Sequence, residues 1–173
     1  MKRQDFDIRG TTLVLYLGRD ETVIVPDGIT EVDIGAFRLN EHIVKVVLPD
    51  TIESIGDSAF EECKNLQSVN IPPKVTVIPH GTFSGCKKLE KITLPEGLSE
   101  IWLYAFSGCE SLETVNIPLN ITAIASTAFS GTPFLENQKD GFLIAGDDIL
   151  FAYSGNEKKD VLTIWKQSSF PKV

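Results

Sequence analysis

The strongest constraint on the fold is an interval of 23 residues. Phe37, Phe60, Phe83, Phe106 and Phe129 recur at that spacing, as do Pro26, Pro49, Pro72, Pro95 and Pro118, and Cys63, Cys86 and Cys109. The run LQSVNIPPKVTVIPHGTFSGCKK at 66–88 and the run KITLPEGLSEIWLYAFSGCES that follows share one skeleton. A period of roughly 20–50 residues marks a solenoid, because one unit cannot bury its apolar side alone and must stack on its neighbours.

Five units follow from the register, at 20–42, 43–65, 66–88, 89–111 and 112–134. In the third, the period-two spacing of Val69 and Ile71 predicts a short strand with both side chains inward. Pro72 has no N–H for a ladder, so it ends the strand or sits at a bend. Later in the unit, as in GDSAFEECKNL, Asp57 or Ser58 precedes Ala59, Phe60 and Cys63. A capping residue ahead of apolar spacing of three predicts one or two helical turns. Gly85, Gly108 and Gly131 stand just after it, where a left-handed residue closes a helix. Strands stack at about 4.8 Å and helices at about 8–10 Å. Strands on one side and helical turns on the other therefore predict a curved, right-handed α/β solenoid with the strands concave.

The flanks read as caps. In residues 1–19, FDIRGTTLVLYLG alternates apolar and polar residues about Gly10-Thr11, the signal of a β-hairpin. A terminal unit needs such cover for its apolar end. Residues 135–165 repeat the device in GFLIAGDDILFAYSG, where Phe142, Ile144, Gly146, Tyr153 and Gly155 echo Phe6, Ile8, Gly10, Tyr16 and Gly18. Residues 166–173 lose the pattern and read as a tail. The chain of 173 residues is long enough for a real core, and its hydrophobic content of 42% is that of an ordinary globular protein.

The repeated skeleton L-x-x-V-x-I-P-x-x-I-x-x-I-x-x-x-A-F-x-x-C resembles the BspA-like leucine-rich repeat family. The dipeptides Ala36-Phe37, Ala59-Phe60, Ala105-Phe106 and Ala128-Phe129, with Thr82-Phe83, carry the match. The resemblance implies a bacterial surface or secreted protein that binds host or matrix proteins, often fused to other modules.

Charge and motifs narrow the function. A formal net charge of −8 disfavours nucleic acid and anionic membrane, which need a basic footprint. No run approaches about 18 apolar residues, so no membrane insertion is expected. The start MKRQDFDIRGTTL has no apolar run of a signal peptide, so a cytoplasmic location is expected from the sequence as it stands, against the surface location implied by the resemblance.

Cys63, Cys86 and Cys109 share one slot in successive units and read as a ladder of buried thiols. Zinc sites use close pairs such as C-x-x-C, and none is present. His42 and His80 lack a G-x-S-x-G or comparable motif around them. Asp140, Asp147 and Asp148 lack Ca²⁺-loop spacing and read as turn residues. Asn120-Ile121-Thr122 matches a glycosylation acceptor, a pattern common by chance. No catalytic residue, metal or cofactor is expected.

Two surfaces remain as contact candidates. One is the outward strand face of Thr22, Ile24, Lys45, Val47, Ser68, Asn70, Lys91, Thr93, Thr114 and Asn116. The other is Trp102-Leu103-Tyr104. The equivalent tripeptides are Gly56-Asp57-Ser58, Pro79-His80-Gly81 and Ala125-Ser126-Thr127, so this slot does not require bulk. At least two of its three side chains are expected to be exposed. The patch then serves a partner or a homo-oligomer, unless Trp102 folds back over Phe106 as packing. The expected function is a non-catalytic protein- or peptide-binding module, with a spacer segment of a larger surface protein as the alternative.

Overall fold

The computed structural model describes residues 5–137 and the backbone of three strands at 142–145, 149–152 and 164–166. Asp140, Asp147, Asp148 and the tail from 167 lie outside the described residues, as does the MKRQ start.

The chain winds as a β-solenoid of stacked three-sided coils. An N-terminal hairpin of β1 (Phe6–Arg9) and β2 (Thr12–Tyr16) leads in. The coils then alternate a first-side strand with a second-side strand. In chain order these are β3 (Thr22–Ile24), β4 (Glu31–Val32), β5 (Lys45–Val47), β6 (Ser54–Ile55), β7 (Ser68–Val69), β8 (Val77–Ile78), β9 (Lys91–Thr93), β10 (Glu100–Ile101), β11 (Thr114–Asn116) and β12 (Ala123–Ile124). A single turn of helix, α1 (Pro133–Glu136), ends the array, and β13 (Phe142–Ala145), β14 (Ile149–Ala152) and β15 (Ile164–Lys166) follow as an antiparallel sheet.

The 23-residue period sets the register of the parallel strands on both sides, each side being broken once, between β7 and β9 on the first and between β6 and β8 on the second. Val23 pairs with Val46 and Val46 with Val69, while Ile78 pairs with Ile101 and Ile101 with Ile124. The proline of each unit makes the corner between these sides. Its carbonyl accepts from the N–H three residues on, as in Val75 to Pro72 at 3.1 Å and Leu98 to Pro95 at 3.0 Å. Proline suits this place because no N–H is required of it.

The third side corrects one expectation. Where the sequence predicts helical turns, the chain runs as consecutive tight turns whose N–H groups alternate in direction. The Gly81, Phe83 and Gly85 N–H groups donate upward to Leu103, Ala105 and Ser107 of the next coil at 2.8–3.0 Å. The Thr82, Ser84 and Cys86 N–H groups close turns within the coil, onto Pro79, Gly81 and Phe83. The backbone must turn left-handed two residues either side of the phenylalanine, so Gly81 (φ +61°) and Gly85 (φ +72°) fit there.

Both flanks of a coil are therefore hydrogen-bonded to the next. The phenyl rings stack at 4.8–5.3 Å between centroids and within 10° of parallel. That rise matches the strand spacing of about 4.8 Å. The height mismatch between strands and helices from which the curve was expected does not arise.

The core is one column. Phe37, Phe60, Phe83 and Phe106 are fully buried, with Ile52, Ile78, Leu66 and Leu89 on the other walls. Tyr16 continues the ring stack downward onto Phe37 at 5.6 Å, and Phe6 covers Tyr16 at 5.0 Å. The hairpin thus supplies a substitute rung, and β2 extends the second sheet by pairing with β4. At the other end Thr132 takes the cysteine slot. Its hydroxyl accepts from the Leu135 N–H and caps α1, and Phe134 closes the stack edge-on against Phe129. No helix among the described residues is long and apolar enough to cross a membrane.

Candidate contact surfaces

The cysteines form a buried ladder. The thiols of Cys63, Cys86 and Cys109 donate to the carbonyls of Phe37, Phe60 and Phe83 in the coil below, at 3.0–3.1 Å. Each thiol is fully buried and satisfies a carbonyl of the coil below. Burial pushes the thiols of Cys63 and Cys109 up to about 12 and that of Cys86 well above its ordinary value, because a thiolate there loses its hydration. Among the described residues no three His, Cys, Asp or Glu side chains cluster as metal ligands.

The first-side strand face divides in two. Thr22, Ile24, Lys45, Ser68, Asn70, Lys91, Thr93, Thr114 and Asn116 are exposed and Val47 is half-buried, but the two asparagines differ from the rest in their bonding. Asn70 and Asn116 are occupied within the fold. The Asn70 amide accepts from the Leu48 N–H and donates to the Leu48 carbonyl, both at 2.8 Å. Asn116 does the same for Leu94, at 2.8 and 3.2 Å. In the first coil a main-chain carbonyl, that of Val47, fills this role for the Val25 N–H. These two amides are backbone substitutes. Their recurrence in one slot of alternate units was the available sequence signal. The Asn120 amide is likewise engaged, donating to the Glu96 carbonyl at 3.0 Å.

The patch at 102–104 is built by the corner after β10. Ile101 points inward and is buried, and the chain then turns outward into the tight-turn side. Trp102, Leu103 and Tyr104 are each 45% exposed. The Trp102 indole N–H donates to the Glu100 carboxylate at 2.8 Å, which holds the ring at the surface. The rings stacked on Phe106 are Phe83 and Phe129, so the indole does not cap that column. Tyr104 meets His80 of the coil below edge-on at 5.5 Å.

Tyr104 has φ +60°. It stands in the slot held by Gly35, Ser58 and Gly81, all also at positive φ, and by Thr127 in the fifth coil. A bulky side chain there costs on the order of 1–2 kcal/mol. The next coil adapts too: the Tyr104 N–H donates to the Thr127 hydroxyl at 3.3 Å, where sister coils use a main-chain carbonyl.

Stacked parallel strands, a proline corner and an internal phenylalanine column define a leucine-rich-repeat β-solenoid. The chain belongs to the BspA type leucine rich repeat family, whose model matches residues 19–136 with six copies. Among solved structures it is similar to a leucine rich cell surface protein from Faecalibacterium prausnitzii A2-165, at 34% identity and TM-score 0.69 over 71% of this chain and 33% of that one. It is also similar to the leucine rich repeat protein of T. pallidum, at 31% identity and TM-score 0.71 over 75% of this chain and 66% of that one. A leucine-rich repeat protein from Bacteroides ovatus matches at 32% identity and TM-score 0.59, over 66% of this chain and 32% of its own. The chain thus spans about a third of the Faecalibacterium protein. No curated protein sequence matches it.

Proposed function

We propose that this chain is a non-catalytic protein-binding module, presented at a bacterial cell surface, whose contact centre is Trp102-Leu103-Tyr104. The observation that carries the reading is that Tyr104, in a left-handed backbone at 45% exposure, puts an aromatic ring beside exposed Trp102 and Leu103 in a slot held elsewhere only by the small residues Gly35, Ser58, Gly81 and Thr127. Backbone strain kept at an exposed aromatic residue marks a functional surface more readily than a packing need. Tyrosine and tryptophan are also enriched where truncation costs about 2 kcal/mol or more of binding. The surface location is supported by the Faecalibacterium relative, which is a cell surface protein. We take the coil as right-handed, in line with the strong preference of parallel-strand crossovers.

The test is the Trp102→Ala, Tyr104→Ala double variant, assayed for retention of extracellular-matrix and host-surface proteins and for self-association by sedimentation. The reading expects the wild type to hold a protein partner or a second copy, and the variant to lose it at an unchanged Tm. A wild type that is monomeric and retains nothing indicates a spacer segment. A variant that melts earlier and binds equally well makes the patch core.

A further inference from the structure

A second surface lies at the other end of the array, where the hairpin meets the first coil. An open cleft of about 370 Å³ is lined there by Tyr16, Leu17, Arg19, Arg38, Leu39 and His42, among others. That volume lies in the range of sites for small ligands and short peptide segments, about 300–1,000 Å³. Its floor is fixed. Tyr16 is buried in the ring column, and its hydroxyl donates to Asp20 at 3.1 Å. Asn40 ties the hairpin to the coil by donating to the Gly18 carbonyl at 3.0 Å.

The walls depart from the repeat. Leu39 is 60% exposed with φ +60°, in the slot that Glu62 fills in the second coil, also at positive φ, and Gly85, Gly108 and Gly131 fill in later coils. Leu17 is 65% exposed on the hairpin side. Arg38 occupies a slot held by Glu61, Ser84, Ser107 and Ser130 elsewhere. Its Nε pairs with Glu61 at 2.8 Å, and no other ion pair among the described residues engages the guanidinium. Arg19 is exposed and makes no ion pair among the described residues. The one acid in the lining, Glu41, lies 3.7 Å from Lys64 of the second coil.

Two arginines and two exposed leucines thus line one cleft, a local basic site in a chain of net charge −8. Guanidinium groups match carboxylates in geometry and bind them in pairs of hydrogen bonds. We propose that this cleft docks an acidic peptide segment, with an aliphatic side chain between Leu17 and Leu39 and carboxylates on Arg19 and Arg38. The site is independent of the aromatic rim, which sits three coils further along.

The test is selection of a displayed library of random heptapeptides on the immobilised whole chain, followed by anisotropy titration of the most enriched peptide. The proposal expects an enriched motif with at least one Asp or Glu beside Leu, Ile or Val. It also expects binding that weakens as salt is raised. Arg19→Ser and Leu39→Gly should each weaken binding at least tenfold. Leu39→Gly installs the residue that three later coils carry in that slot, so its fold is preserved, and Tm measured in parallel checks this. Trp102→Ala, Tyr104→Ala should bind the peptide as the wild type does. No enrichment, a motif without acids, or affinity untouched by both cleft variants overturns the proposal. Loss with the rim variant alone assigns the peptide to the rim instead and likewise overturns it.

Discussion

Phe83→Ala is the sharpest probe of how the array holds together. Phe83 is the middle ring of the column, fully buried, with Phe60 at 5.1 Å on one face and Phe106 at 5.3 Å on the other. Truncating a buried phenylalanine costs about 3–5 kcal/mol, the spread reflecting how far the site can collapse. Collapse is hindered here. The Phe83 N–H is bonded to the Ala105 carbonyl at 2.8 Å, and its carbonyl accepts both the Cys86 N–H and the Cys109 thiol. The backbone therefore cannot close the gap without breaking ladder bonds, and both ring pairs, each worth about 0.5–1.5 kcal/mol beyond burial, are lost. The expected loss is at the upper end, about 4–5 kcal/mol, a large share of the roughly 5–15 kcal/mol of a domain. Urea unfolding followed by circular dichroism and by tryptophan emission gives the value. Phe83→Leu, which keeps most of the volume, is the control and should lose far less. A loss under about 2 kcal/mol for Phe83→Ala, below the range for such truncations, would refute the rigid-column argument.

Four further outcomes follow from the same geometry. Stability should be flat near neutral pH and fall as pH rises from about 9 toward 12. The unfolded thiols ionise near 8.5 while the folded ones do not, burial having pushed Cys63 and Cys109 up to about 12. Replacing all three by Ala should make that limb shallower and leave the part above about pH 10 that belongs to Tyr16, whose hydroxyl burial pushes up to about 12. Asn70→Ala should lose about 1–3 kcal/mol by leaving the Leu48 N–H and carbonyl unpaired, with Ser68→Ala near neutral as its control. Gly85→Ala should be destabilising, because φ is +72° and the new Cβ meets the Glu62 side chain. Deleting residues 1–19 uncovers Phe37, which Tyr16 covers, and should produce aggregation or a lower Tm, read by light scattering and calorimetry.

Much of this was legible in the sequence because the repeat averages out local ambiguity. The single interval shared by Phe, Pro and Cys foretold the column, the corner and the thiol ladder. The alternation around Gly10 foretold the hairpin of β1 and β2. The second sheet was not read, because strands such as Val77–Ile78 are two residues long and place one residue inward, too few for a period of two to show. The third side was misread as helical for a physical reason. Ala59, Phe60 and Cys63 are spaced as on a helix, yet a chain of tight turns gives the same spacing of inward side chains. Gly81 and Gly85, two residues either side of Phe83, distinguish the cases, since a helix has no use for paired left-handed positions. The exposure of Trp102, Leu103 and Tyr104 followed from comparing sister units, whereas the strain at Tyr104 needed the backbone.

The alternating N–H groups of the third side also govern how the molecule responds to being pulled. On all three sides the bonds between coils run along the stack, so tension between the ends of the array loads them one coil after another. Extension should proceed as repeated peeling events in a force trace, each releasing one 23-residue coil and lengthening the chain by on the order of 75 Å. A tether built this way absorbs sudden drag in small instalments and gives up its outermost coil before its centre.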